Sequence, residues 1–68
     1  MSDILKIIGG NIKKYREMKA ITQEELSSAC KLHRNYIGSV ERGARNLSVK
    51  SLQKISIGLN VKIERLFE

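Results

Sequence analysis

The sequence has few of the residues that cross-link a small protein. Its 68 residues include a single cysteine, Cys30, so an internal disulfide is excluded, and no spacing of cysteine and histidine is typical of a zinc site. A chain of this length lies near the lower limit for folding without disulfides or a metal. We therefore predict one domain, residues 1–68, that is held together by apolar packing with help from a second copy and that binds no cofactor or metal.

Long apolar runs are also lacking. No segment approaches the roughly 20 apolar residues of a membrane-spanning helix. The opening MSDILKIIGG contains an acidic residue and an apolar stretch too short for a signal peptide. We predict a cytoplasmic protein with no membrane partner.

Acidic residues are scarce where basic residues concentrate. The chain has 13 Lys and Arg against 7 Asp and Glu, a net charge of +6, and the segment 31–54 carries +5 of it with Glu41 as its only acid. A solvated surface would explain a mild excess of this kind equally well. Its concentration in one third of the chain favours a polyanionic partner, most commonly nucleic acid.

Apolar residues recur at helical spacing, which predicts an all-α protein. The first amphipathic helix covers about residues 3–19. Its apolar stripe contains Leu5, Ile8, Ile12 and Tyr15. Gly9 and Gly10 weaken this helix, so we expect them to admit the close approach of another helix. Ile4 and Ile7 lie off the stripe and are candidates for contact with a partner chain.

Two short helices joined by a brief turn are predicted over about residues 22–43. Thr22 with Glu25 three residues later forms a capping box, and Gly43 is typical of a helix C-terminus. Further along, Ser48 is expected to cap a fourth helix and Asn60 to end it in a left-handed conformation. A last helical turn is predicted over residues 63–67.

The outer face of the third helix, about Arg34 to Arg42, is unusual for a solvent-exposed surface. A plain surface would carry glutamate, lysine and alanine, whereas this face carries small residues, an amide, a hydroxyl and arginine. The residues of this face are Asn35, Gly38, Ser39 and Arg42, with Tyr36 at its border, while Arg34 lies beside Glu41 on the flank of the inner side. Arginine and asparagine are the residue types that read guanine and adenine in the major groove. We predict base contacts by Arg34 and Asn35, with the remaining polar residues positioning the DNA backbone.

Two further residues are predicted to be structural. Glu41 lies near the inner side of the third helix, where an unpaired carboxylate is costly, and Arg16 on the first helix can reach it. His33 lies at the start of the third helix and is expected to cap it. No nucleophile, second histidine or carboxylate pair accompanies His33. We therefore predict that the protein is not an enzyme and has no small-molecule ligand.

The stretch TQEELSSACKLHRNYIGSVERGARNLSVKSLQKI resembles the helix-turn-helix of the Cro/C1-type (XRE) family. The run RNYI..VERGARNLSVKSL is similar, more narrowly, to the controller proteins of type II restriction–modification systems. The resemblance covers residues 8–66 and implies a compact, five-helix, lambda-repressor-like fold. It also implies that Lys31, where the family often has glycine, takes a left-handed conformation.

The resemblance assigns DNA-binding roles to three parts of the chain. It implies phosphate contacts at the start of the second helix, base and backbone contacts along the third, and backbone and groove contacts in the following loop. The residues concerned are Thr22 and Gln23, then Arg34, Asn35, Tyr36 and Ser39, then Arg45 and Asn46.

The prediction of a dimer follows from the short length of the third helix, which is called the reading helix below because it is predicted to contact base edges. Because a single helix contacts few base pairs, two copies on half-sites one helical turn apart are needed for discrimination. We predict a homodimer on an inverted-repeat operator, with a dimerisation surface over about residues 57–68 that includes Ile57, Leu66 and Phe67.

The predicted function is transcriptional regulation, as the controller of a restriction–modification operon, with RNA polymerase as a further candidate partner. The alternative is a phage-type repressor, or an antitoxin-type autoregulator that acts partly through a protein partner. An antitoxin would need an exposed apolar groove or an additional tail.

Overall fold

A computed structural model of the protein describes residues 2–68, and over that range the regular structure is entirely helical. The elements are α1 Ser2–Met18, α2 Gln23–Cys30, α3 Arg34–Glu41, α4 Val49–Leu59 and a 3-10 helix Ile63–Phe67. The predicted all-α class with five helical segments is confirmed. None of the helices in this range is long and apolar enough to span a membrane.

Local capping signals fix where the helices start. The Thr22 hydroxyl accepts a hydrogen bond from the Glu25 amide at 3.0 Å, and the Glu25 carboxylate accepts one from the Thr22 amide at 2.8 Å. The Ser48 hydroxyl accepts from the Ser51 amide in the same way, at 3.0 Å. His33 caps α3, since its Nδ1 accepts from the Asn35 amide at 3.0 Å. Each of these predicted caps is confirmed.

Left-handed residues end the helices as predicted. Lys31 follows α2 with φ of 60°, Asn60 follows α4 with φ of 58°, and Gly43 follows α3 with φ of 71°. Ala20, between α1 and α2, is also left-handed with φ of 56°, and no sequence signal indicated it. The left-handed region disfavours residues other than glycine and asparagine, so the backbone conformations of Lys31 and Ala20 cost some free energy.

The core lies between the helices and takes apolar side chains from all five. Its buried members are Ile8, Ile12, Leu26, Cys30, Ile37, Val40, Leu52, Ile55, Leu59 and Leu66. Tyr15 packs against this core, as predicted for the apolar stripe of α1. Burial raises the pKa of the Cys30 thiol, as expected for a small apolar residue rather than a reactive one.

Leu66 corrects one sequence prediction. Its side chain is fully buried in its own chain, and its carbonyl oxygen accepts a hydrogen bond from Asn11 Nδ2 at 2.9 Å. The 3-10 helix therefore turns Leu66 inward against α1, where it closes the core. The assignment of Leu66 to a dimer surface was wrong.

α1 and α3 cross closely at Gly9. A methyl group at this position would lie 2.8 Å from the Glu41 carbonyl oxygen and closer still to that of Val40, whereas one at Gly10 would meet nothing within 4 Å. The predicted close approach is thus confirmed for Gly9 and wrong for Gly10. This crossing sets the depth at which α3 rests on the rest of the protein.

Candidate nucleic-acid interface

α2 and α3 form a helix-turn-helix whose turn is closed by backbone hydrogen bonds. The Leu32 amide donates to the Ser27 carbonyl at 2.9 Å, and the Lys31 amide donates to the Ser28 carbonyl at 3.3 Å. Ser27 is buried between the helices, and its hydroxyl donates to the Glu24 carbonyl at 2.7 Å. The motif is therefore a rigid unit, and Ile37 and Val40 on the inner side of α3 anchor it to the core.

Most of the predicted DNA-binding side chains are exposed. The exposed ones are Thr22, Gln23, Arg34, Asn35, Arg42, Arg45 and Asn46, while Tyr36 and Ser39 are half-buried. Arg42 directly follows the last residue of α3 and is its C-cap. Side chains of these types can donate to phosphate oxygens or meet base edges without rearrangement of the core.

Tyr36 links α3 to the loop that follows it. The Arg45 guanidinium lies 5.1 Å from the centre of the Tyr36 ring, within cation–π distance. The Ser39 hydroxyl donates to the Tyr36 carbonyl at 2.8 Å, so its donor is engaged within the helix and its oxygen remains an acceptor. The structure thus brings Arg45 of the loop beside Tyr36 of the reading helix.

Arg34 has a partner that sequence reasoning missed. Its Nη1 lies 3.5 Å from Glu24 Oε2 across the start of the motif, and both side chains are more than half exposed. Exposed pairs of this kind contribute little to stability. Glu24 is ten residues away on another helix, and no local pattern marks it.

A buried ion pair lies behind the reading helix. Arg16 Nε donates to Glu41 Oε2 at 2.6 Å and Arg16 Nη2 donates to Glu41 Oε1 at 3.1 Å. Only 11% of the Arg16 side chain and 3% of the Glu41 side chain are exposed. The hydrogen bond that Arg16 donates to Glu41 raises the pKa of Arg16 above its ordinary value, so the guanidinium stays charged. This is the predicted contact, and it ties α3 to α1.

The same carboxylate holds a residue of the predicted interface. Gln23 Nε2 donates to Glu41 Oε1 at 2.9 Å, and Arg16 Nη1 also donates to the Ile21 carbonyl at 2.9 Å. Within residues 3–68, whose side chains the structure describes, no buried side-chain nitrogen or oxygen lacks a partner. The network therefore joins α1, the start of α2 and the end of α3 without an unsatisfied polar group.

We predicted from the sequence that Gly38 lies open on the outer face of α3. The structure contradicts this prediction. Gly38 is buried, and a methyl group there would lie 3.4 Å from Arg42 Nη1 and 3.5 Å from Gln23 Oε1. The side chains of Gln23 and Arg42 therefore cover the backbone of α3 at this position. A projection of one helix cannot show that a neighbouring helix supplies the covering group.

The predicted dimer residues differ in exposure. Ile57 is 70% exposed and Phe67 is 48% exposed, unlike the buried Leu66. Ile57 borders an open apolar cleft of about 200 Å³, which is also lined by Ala29, Cys30, Lys31 and Lys54. Ile4 and Ile7 are also nearly half exposed on α1.

Comparison with known proteins agrees with this geometry. A sequence model of the helix-turn-helix family matches residues 12–66. The chain is 39% identical over 64 residues to control protein C.SmaI of Serratia marcescens, covering 94% of this chain and 76% of that protein. It is 40% identical over 68 residues to control protein C.MunI of a Mycoplasma species, covering 98% and 92%.

A solved structure has the same fold. The crystal structure of the restriction–modification controller protein C.AhdI from Aeromonas hydrophila superimposes with a TM-score of 0.90 at 35% identity, over 93% of this chain and 96% of that one. The helices, the turn and the position of the reading helix are thus shared with a protein of known structure. The chain belongs to the helix-turn-helix family, of the Cro/C1 (XRE) type.

Proposed function

We propose that the protein is a transcriptional regulator that binds an inverted-repeat operator as a homodimer and controls a restriction–modification operon. The observation that carries the proposal is the outer side of α3, where Arg34 and Asn35 are exposed while the buried Arg16–Glu41 pair holds the helix from behind. The similarity to proteins named as control or controller proteins supports the choice of operon.

In this proposal α3 enters the major groove. Arg34 and Asn35 contact base edges, since arginine pairs with guanine and asparagine with adenine through two hydrogen bonds each. Other side chains hold the phosphate backbone and fix the register of the helix. These are Thr22, Gln23, Tyr36, Ser39, Arg42, Arg45 and Asn46. The +5 charge of segment 31–54 supplies the long-range attraction to DNA.

The homodimer is proposed to form through residues 57–68. The exposed Ile57, its apolar cleft and the half-exposed Phe67 support this surface, because an apolar patch on a small protein is often an interaction site. Two copies related by a two-fold axis would present two α3 helices to half-sites of a palindrome. Each copy alone would bind DNA mainly through phosphates, with dissociation constants of roughly 10⁻⁴–10⁻⁶ M at physiological salt.

The proposed location, the lack of catalysis and a further partner follow from the role of a transcriptional regulator. The protein would work in the cytoplasm, without catalysis, and would meet RNA polymerase when it is bound beside a promoter. The cleft beside Ile57 also fits the alternative, in which a regulator of this fold acts partly through another protein.

Selection of bound fragments from random DNA, followed by gel shifts, tests the proposal. We expect an enriched inverted repeat, binding by a species twice the mass of one chain, and a steep loss of affinity between 50 and 200 mM salt, the concentrations of the assay. Absence of any shift with duplex DNA would refute the regulator and favour a protein-binding role. An enriched site without two-fold symmetry would refute the dimer.

A further inference from the structure

Glu41 makes more contacts than a structural ion pair requires. Its Oε2 accepts one hydrogen bond, from Arg16 Nε, and its Oε1 accepts two, from Arg16 Nη2 and Gln23 Nε2. The bonds from Arg16 hold α3 to α1. The bond from Gln23 holds a side chain that is exposed at the start of α2, on the side proposed to face DNA.

The chemistry of a carboxylate fixes which way the Gln23 amide points. An ionised carboxylate only accepts hydrogen bonds, so Gln23 must turn its NH2 group toward Glu41 rather than its carbonyl oxygen. One N–H of Nε2 is used in this bond, and the second N–H remains for another acceptor. A free glutamine would sample both orientations, and in one of them it would present only a carbonyl oxygen to an anion.

Gly38 makes room for this arrangement. The position of its absent side chain lies 3.5 Å from Gln23 Oε1 and 3.4 Å from Arg42 Nη1. The carbonyl oxygen of Gln23 and the guanidinium of Arg42 therefore border the same point on α3, one from each helix of the motif. Because Glu41 takes one N–H of Gln23 and the carbonyl oxygen lies on the side of Arg42, the second N–H is the donor that Gln23 has left for a phosphate oxygen of the DNA backbone.

We propose that Glu41 is a positioning residue for DNA binding, which orients the Gln23 amide so that its free N–H meets a backbone phosphate. The inference rests on the proposed function, because it concerns the same DNA-binding surface. A glutamine that is already ordered does not lose its rotamer freedom on binding. Loss of this ordering corresponds to about a ten-fold weaker affinity per protomer.

The test measures affinity for a random-sequence duplex, because a phosphate contact does not depend on base sequence. Three variants separate the roles. Gln23→Met removes the amide but leaves the buried pair, Glu41→Gln removes the fixed acceptor, and Arg16→Lys weakens the ion pair but leaves the contact between Glu41 and Gln23.

We expect Gln23→Met and Glu41→Gln each to weaken binding about ten-fold per bound protomer, and the double variant to be no weaker than either single one. The salt dependence of Gln23→Met should equal that of the wild type, because a neutral amide displaces no counterion. Arg16→Lys should lower thermal stability and keep wild-type affinity. Additive losses, full affinity of Gln23→Met, or an equal loss in Arg16→Lys would each overturn the proposal.

A measurement on the wild type covers the case in which Glu41→Gln fails to fold. The two side-chain amide protons of Gln23 give separate signals in a ¹⁵N-correlated NMR spectrum. We expect random duplex to shift one of them strongly and to leave the one bound to Glu41 nearly unchanged. Equal shifts of both protons, or of neither in a protein that binds the duplex, would overturn the inference. A wild type that binds no duplex would instead overturn the proposed function.

Discussion

Two adjacent glycines in α1 allow a sharp test of how the reading helix is seated. Gly9 and Gly10 are neighbours in α1, so their helical surroundings are nearly the same. They differ in the atoms that an added methyl group would meet. Gly9 faces the backbone of α3 at Val40 and Glu41, and Gly10 faces open space. Replacing each by alanine therefore separates the intrinsic preference for helix from the contact between helices.

The expected effects have opposite signs. In an exposed helix, alanine is about 1 kcal/mol more favourable than glycine, so Gly10→Ala should stabilise the protein by about that amount. Gly9→Ala has the same local gain, but its methyl group would lie 2.8 Å from the Glu41 carbonyl oxygen, against an ordinary C···O distance of about 3.3 Å. The helices must separate by at least about half an ångström at this point.

That separation is expensive because the obstructing atoms belong to backbone. Overpacking of a close-packed core costs about 1–3 kcal/mol, and carbonyl groups that are fixed in a helix cannot turn aside as a flexible side chain can. We take the upper end of that range, so that Gly9→Ala is destabilised by about 2 kcal/mol after the gain in helix preference is subtracted. The two variants should then differ by about 3 kcal/mol in the free energy of unfolding.

Urea unfolding followed by circular dichroism measures this difference directly. Thermal unfolding gives a second measurement. For a domain of this size the melting temperature should rise by about 4–8 °C in Gly10→Ala and fall by about twice that in Gly9→Ala. The wild type is the common reference, and equal slopes against urea would show that the same surface unfolds. Similar gains in both variants would refute the close contact between α1 and α3 on which the position of the reading helix depends.

Three further predictions concern the reading helix, its support and the core. Arg34→Ala should weaken operator binding by about 1–3 kcal/mol per half-site and random-duplex binding much less, and an equal loss in both gel shifts would refute its base contact. Arg16→Met should lower the urea midpoint more than Arg16→Met combined with Glu41→Leu, because the single change leaves a buried carboxylate without its cation; the opposite order would contradict the buried pair. Burial raises the pKa of Cys30, so its contribution to stability is present below the ordinary thiol pKa and is lost as pH rises through the raised one. The stability of the wild type should therefore fall relative to Cys30→Ala in alkaline urea titrations, and a pH-independent difference would argue against a buried thiol.

The helices, their caps and their ends could be predicted because their signals are local. Each cap is a hydrogen bond from a backbone amide to a side chain at most three residues earlier, so no distant contact is needed to form it. The pairs are Thr22 with Glu25, His33 with Asn35, and Ser48 with Ser51. The basic segment and the polar outer side of α3 were equally readable, since composition and helical spacing place them without knowledge of the fold.

Packing between elements could not be read in this way. Spacing alone did not distinguish Gly9 from Gly10, or show that the 3-10 helix turns Leu66 into the core instead of toward a partner. Those outcomes depend on where a second element lies, and that element is tens of residues away in the chain.

The sequence by itself determined an all-α protein with a capped helix-turn-helix and a basic face, because local hydrogen bonding and charge are enough to place them. It also determined the pairing of Arg16 with Glu41, because a buried carboxylate needs a cation. Only the tertiary structure decided that Gln23 reaches across Gly38 and shares the carboxylate of Glu41. The physical reason is that a hydrogen bond between helices is set by their crossing and separation, which are properties of the packed core as a whole.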